Sequence, residues 1–177
     1  MIDMDFVNQV NALSEQTIQL CYHCHKCTAG CPVVDEMTYG PDRILRMVQF
    51  GQKEPLLTSS DIWVCASCET CGTRCPNEID IARVMDALRQ LALAEGAAIA
   101  EPDAIKFHRL FLFMLQNMGR MHEASLMGIY LLWTFGFMDY VGVGPKMFLK
   151  GKVPLIPHRI KGRGEVKRIF KATKSER

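Results

Sequence analysis

Cysteine placement constrains this chain more than any other feature. All eight cysteines of its 177 residues fall between positions 21 and 75, in two runs of one spacing. Cys21-Tyr22-His23-Cys24-His25-Lys26-Cys27-Thr28-Ala29-Gly30-Cys31-Pro32 and Cys65-Ala66-Ser67-Cys68-Glu69-Thr70-Cys71-Gly72-Thr73-Arg74-Cys75-Pro76 both fit C-x2-C-x2-C-x3-C-P at every defined position. The cysteines are a local device, not staples for the whole chain. An even count can build a disulfide framework, but such frameworks belong to secreted domains. Export needs a basic start followed by an apolar run. The opening Met1-Ile2-Asp3-Met4-Asp5-Phe6-Val7-Asn8 is acidic and broken by polar residues. A reducing, cytoplasmic setting is therefore expected, in which thiolates persist as metal ligands.

The run has the bacterial-ferredoxin spacing for [4Fe–4S] clusters. Three thiolates, each separated from the next by two residues, wrap three corners of one cubane, and the loop's N–H groups offset its negative charge. The fourth cysteine, followed by proline, heads away; in two-cluster ferredoxins it ligates the other cluster. That rule assigns Cys21, Cys24, Cys27 and Cys75 to one cluster, and Cys65, Cys68, Cys71 and Cys31 to a second. Zinc is the competing metal, since two C-x2-C knuckles make one four-cysteine site. The third cysteine of each run has no role in such a site. Two zinc ions would use all eight thiolates yet leave the repeated Cys-Pro unexplained. His23 and His25 are candidate ligands or proton relays; with eight cysteines present, they are expected beside a cluster or at the surface. Lys26 and Arg74 either raise a cluster potential or are solvated, and Trp63 either shields a cluster or packs in the core.

Helical periodicity surrounds the runs, and alternating strand patterns are nearly absent. The spacing of Phe6, Val7, Val10, Leu13 and Ile18 predicts a helix over 1–20. Ile44, Leu45, Met47 and Val48 predict a short helix between the Tyr39-Gly40-Pro41-Asp42 turn and Gly51. Ser59, Ser60 or Asp61 can cap the segment entering the second run. Asp80 caps a helix carrying Ile81, Val84, Met85, Leu88 and Leu91, stopped at Gly96. A further helix is expected from Pro102 towards Met121, with Phe107, Leu110, Phe111, Met114 and Met118 inward. Leu126–Met138 is helical and apolar nearly all round, but a membrane span needs about 20 such residues. No transmembrane span is expected. From Gly142 the chain is rich in Gly and Pro and should be extended or turned. Val166, Ile169 and Phe170 then share the face of a last short helix over 165–174. Residues 146–177 carry a net charge of +9 against −7 for the remainder, an acidic body with a basic tail. That tail lacks the interleaved aromatics of a nucleic-acid patch.

The fold class expected is mostly α, a helical ferredoxin-like domain with a helical extension. Residues 1–100 form the dicluster domain, 101–141 an apolar helical extension for partner docking, and 142–177 a Gly/Pro-rich basic tail. The two runs, their helical setting and the 33 residues between Cys31 and Cys65 resemble the α-helical ferredoxin domain of fumarate reductases and heterodisulfide reductases. The whole chain, including the apolar segment and the tail Pro157-His158-Arg159-Ile160-Lys161-Gly162-Arg163-Gly164-Glu165-Val166-Lys167-Arg168, looks like the dicluster iron–sulfur subunit of heterodisulfide reductase. That resemblance implies a non-catalytic relay in an oxidoreductase complex. Electrons would leave a flavin-bearing subunit, cross two [4Fe–4S] clusters here, and reach a cysteine-rich catalytic subunit that cleaves the coenzyme M–coenzyme B disulfide. The chain has no paired Cys-Cys and no glycine-rich nucleotide loop, so it should reduce no disulfide alone. The same module could serve a sulfur- or sulfate-metabolising or quinone-linked complex, or a free carrier. The long apolar and basic extension argues against the free carrier.

Overall fold

The computed structural model describes residues 2–134, 150 and 160–175, and contains no strand among them. The fold is mostly α. Two compact units divide the chain, residues 1–101 and 102–177.

The first unit holds seven α-helices: α1 (Met4–Ser14), α2 (Lys26–Ala29), α3 (Pro41–Gln49), α4 (Lys53–Leu57), α5 (Asp61–Val64), α6 (Thr70–Arg74) and α7 (Ile81–Ala94). Short 3₁₀ turns at Ile18–Leu20 and Val34–Glu36 fill two of the connections. Helix α7 is the hub, with α1, α4, α5 and α6 packed on it. Its Val84, Met85 and Leu88 are buried in a core shared with Phe6, Val7 and Val10, Leu56 and Leu57, and Ile62. Asp80 caps α7 as expected, accepting from the Arg83 amide at 3.1 Å, and Asp3 caps α1 through the Phe6 amide at 3.0 Å. Pro41 opens α3, where its missing N–H costs nothing.

The helix expected over 1–20 is shorter. It ends at Ser14, and Glu15 turns left-handed (φ 55°). The cause is Asn11: its carbonyl accepts the Glu15 and Gln16 amides, and its side chain accepts the Ile18 amide at 3.2 Å. This local closure breaks the register, and Leu13, expected on the apolar face, is 47% exposed. Gly51 is left-handed (φ 64°) where the chain leaves α3, and a Cβ there would lie 2.4 Å from the Asp3 amide nitrogen. Asp61 is fully buried. Its carboxylate accepts from the amides of Thr38 (2.7 Å) and Tyr39 (3.0 Å) and from the Ser59 hydroxyl (2.7 Å). One buried anion thus joins the exit of the first cysteine run to the entrance of the second.

In the second unit α8 (Pro102–Met118) packs with α9 (Glu123–Thr134) and α10 (Arg163–Ser175). Leu110, Met114 and Leu126 form its core, flanked by Phe111, Met118, Met121 and Tyr130. Phe107, expected inward, is 37% exposed; its ring stacks on Phe111 and stands edge-on to Tyr130 at the rim of that cluster. Ile169 is likewise exposed, whereas Val166 and Phe170 are half-buried. Leu112, Phe113, Met127, Ile129, Leu132 and Trp133 remain exposed. Residues 135–141 of the expected apolar extension and most of the Gly/Pro-rich tail lie outside the described residues. Among those described, no helix is long and apolar enough to cross a membrane.

Candidate functional site

The sequence repeat is also a conformational repeat. In the first run His23 and His25 adopt positive φ (61° and 63°), and in the second Ser67 and Glu69 do the same (49° and 58°). Left-handed backbone is costly for residues with a Cβ, so its recurrence at equivalent positions marks a loop shape that each run is built to hold. His25 and Glu69 each stand immediately before a short helix, α2 or α6, whose second residue is the run's third cysteine, Cys27 or Cys71. The fourth cysteines, Cys31 and Cys75, leave at the far ends of those helices. α2 and α6 pack against each other, and the Arg74 side chain lies over Gly30, so the two runs face one another.

That packing interleaves the cysteines. One pocket is lined by Cys65, Cys68 and Cys71 of the second run together with Cys31 of the first. Val33, Met37, Ile81, Ala82 and Met85 supply an apolar wall. On the other side, the Tyr22 phenol is held above its ordinary pKa by desolvation and by the charges of Cys24, Cys75 and Cys21, so Cys75 of the second run lies within electrostatic reach of the first. Burial pushes the Cys71 thiol up to about 11, with Cys65 and Cys27 adding to it. Burial also raises Cys27, whereas a hydrogen bond with Thr70 lowers exposed Cys68. Ligation must expel these protons, which makes loading pH-dependent.

The donor spacing tests the metal. A tetrahedral zinc with Zn–S bonds of about 2.3 Å draws its sulfurs to roughly 3.8 Å from one another. Among the described residues, the one set of three or more Cys, His, Asp and Glu gathered closely enough for a single ion is His23, His25 and Asp42. No three of the thiols are so gathered. A cubane seats each thiolate on its own iron and does not require the sulfurs to converge on one ion.

His23 and His25 are occupied elsewhere. His23 Nε2 lies 3.3 Å and His25 Nδ1 2.9 Å from Asp42 Oδ2. Asp42 is buried at the start of α3, and its Oδ1 accepts from the Thr28 hydroxyl, which in turn accepts the Asp42 amide at 3.1 Å. One carboxylate thus ties three side chains of the first run to α3. Trp63 is buried, and its Nε1 has no hydrogen-bond partner among the described residues.

Sequence reasoning missed two residues that hold the loops. Gln49, the last residue of α3, donates through Nε2 to the carbonyls of Ile18 and Cys21, both at 2.9 Å. Arg89 of α7 donates from Nε to the carbonyl of Ile62 and from Nη2 to that of Cys65. Each is a polar residue on a helix whose other face is core, and that signal alone does not name a partner.

Residues 20–80, which contain both runs, match the family described as "4Fe-4S dicluster domain". The chain is 33% identical over 103 residues to an iron–sulfur subunit of the CoB–CoM heterodisulfide reductase of Methanocaldococcus jannaschii, covering 54% of this chain and 55% of that one. It is 31% identical over 103 residues to the corresponding iron–sulfur subunit of the Methanopyrus kandleri reductase, covering 54% of each. To the counterpart in the ferredoxin/F420H2-dependent CoB–CoM heterodisulfide reductase of Methanosarcina acetivorans it is 36% identical over 81 residues, 46% of this chain and 50% of the relative. The chain spans about half the length of the curated relatives it matches. Its cysteine-bearing part is thus similar both to the 4Fe-4S dicluster family and to the iron–sulfur subunits of heterodisulfide reductases.

Proposed function

We propose that this chain is a non-catalytic electron-relay subunit of a heterodisulfide-reductase-type complex. Cys21, Cys24, Cys27 and Cys75 bind one [4Fe–4S] cluster, and Cys65, Cys68, Cys71 and Cys31 bind the other. When bound, each cluster supplies a one-electron redox centre. The chain's own residues hold the thiolates and set the local field. The observation that carries this reading is Cys31 in the wall of the pocket lined by Cys65, Cys68 and Cys71. A fourth thiolate from the opposite run completes that set and brings two centres into series. Val33, Ile81 and Met85 give the pocket one apolar side, while Cys68 in its lining is exposed.

The electron source proposed is a flavin- and iron–sulfur-bearing subunit, and the disulfide-reducing acceptor is a cysteine-rich catalytic subunit. Support comes from the related iron–sulfur subunits and from the exposed apolar side chains of α8 and α9, among them Phe113, Leu132 and Trp133. Such residues on one unit suit burial against a permanent neighbour. The test is anaerobic purification of the tagged chain from its host, with iron and sulfide assays and identification of co-purifying chains. About eight irons per chain are expected, together with a flavoprotein and a cysteine-rich protein. For the ligand sets, Cys27→Ser and Cys75→Ser should perturb the same cluster signal, and Cys71→Ser and Cys31→Ser the other. Pairing of Cys27 with Cys31 instead would refute the crossed arrangement. A membrane cytochrome as sole partner would redirect the reading to a quinone-linked complex.

A further inference from the structure

The two cysteine runs are latched in the same way by residues of different charge. Ile18 and Ile62 each precede the first cysteine of their run by three residues. Gln49 binds the carbonyls of Ile18 and Cys21, and Arg89 binds those of Ile62 and Cys65. The latched carbonyls are equivalent in the repeat, and the latches are not. Glutamine is neutral, whereas arginine stays protonated at any physiological pH. The Arg89 side chain is only 14% exposed, and it also reaches Ser67 Oγ of the second run at 3.4 Å. Its counter-ion Asp86, at 2.9 Å, is 56% exposed, so water screens the carboxylate more than the guanidinium. The buried charged side chain against the first run is instead a carboxylate, Asp42, held by Thr28, His23 and His25, and the Arg74 cation that lies over Gly30 of that run is exposed and screened by water.

We propose that Arg89 is a positioning residue that raises the reduction potential of the cluster held by Cys65, Cys68 and Cys71 above that of the cluster held by Cys21, Cys24 and Cys27. This rests on the dicluster reading above. Reduction adds one negative charge to a cluster, and a fixed, poorly screened cation nearby favours the reduced form. A neutral amide at the equivalent place provides no such bias. Electron transfer from the first-run centre to the second is then downhill: one electron leaves the former, which is oxidised, and enters the latter, which is reduced, with no bond made or broken. The electron-accepting partner accordingly belongs beside the second run.

The experiment is an EPR-monitored redox titration of the anaerobically purified, cluster-loaded chain. Wild type is compared with Arg89→Gln, Arg89→Lys and Gln49→Arg, with iron and sulfide measured in each. Wild type should give two unequal midpoints. Arg89→Gln should lower the upper midpoint towards the lower one, Arg89→Lys should largely preserve it, and Gln49→Arg should raise the lower one. An upper midpoint unmoved in Arg89→Gln, or moved as far by lysine as by glutamine, overturns the proposal. Should Arg89→Gln fail to retain its clusters, Gln49→Arg decides, and an unmoved lower midpoint is the refuting result. Two clusters with equal midpoints in wild type overturn this proposal alone. A wild-type chain without any [4Fe–4S] signal overturns the dicluster reading along with it.

Discussion

Replacing Asp61 by alanine should uncouple the two halves of the cluster unit. Its buried carboxylate accepts three hydrogen bonds, two of them from the backbone amides of Thr38 and Tyr39. A hydrogen bond to a charged group contributes about 1.5–3 kcal/mol, and a donor left buried without a partner keeps its full desolvation cost. The Ser59 hydroxyl can turn to water or to another acceptor, so the two amides dominate. Their loss amounts to roughly 3–5 kcal/mol, partly offset because the buried anion's own desolvation cost disappears. A net loss of about 3 kcal/mol is a large share of the 5–15 kcal/mol typical of a domain. With a urea slope of about 2 kcal/mol/M, the unfolding midpoint should fall by roughly 1.5 M. The assay is anaerobic urea unfolding followed by helical circular dichroism, paired with amide hydrogen exchange. Thr38 and Tyr39 should lose protection before the core amides of α7. Asp61→Asn, which keeps one acceptor and turns an NH2 towards the other donor, should fall between alanine and wild type. A midpoint within about 0.3 M of wild type for the alanine variant would refute the idea that this anion joins the two runs.

Two further outcomes follow from local geometry. Gly51→Ala should cost about 2 kcal/mol or more, because φ is 64° and the new Cβ meets the Asp3 backbone at 2.4 Å, where no flexible side chain can yield; a melting temperature unchanged within a degree would contradict that contact. In the iron-free chain, alkylation by iodoacetamide at pH 8 should modify Cys68 first and Cys71 and Cys27 last, since only thiolate reacts and Cys71 is pushed up to about 11. Raising the pH should speed Cys71 roughly tenfold per unit up to that value, while Cys68 levels off earlier; equal rates for all eight cysteines, read by mass spectrometry, would show that the unloaded runs do not keep this arrangement.

The helices nearest the core were legible because their apolar spacing is strong and their stops are chemical. Asp80, Ile81, Val84, Met85, Leu88 and Gly96 announce α7 without reference to anything else in the chain. Periodicity overextends the helix over 1–20 because Asn11 can bond its own backbone neighbourhood, a local competition that apolar spacing does not register. Phe107 departs from its apolar spacing for a different reason. In a unit with few helices, an aromatic on the favoured face can still sit at the rim of the core.

The candidate site divides in the same way. The two runs, with their identical spacing, single out the eight cysteines as the candidate metal ligands, because thiolates are soft donors and the spacing is that of a cubane corner set. No tertiary knowledge is required for that. The ferredoxin rule already groups Cys31 with Cys65, Cys68 and Cys71; tertiary structure supplied the packing of α2 against α6 through which the four line one pocket. It also decided that His23 and His25 turn to Asp42, and that Gln49 and Arg89 reach equivalent carbonyls from non-equivalent helices. Covalent spacing controls what a loop of a few residues can wrap. Contacts between residues 17 or more positions apart depend on how helices pack, which no short stretch of sequence encodes by itself.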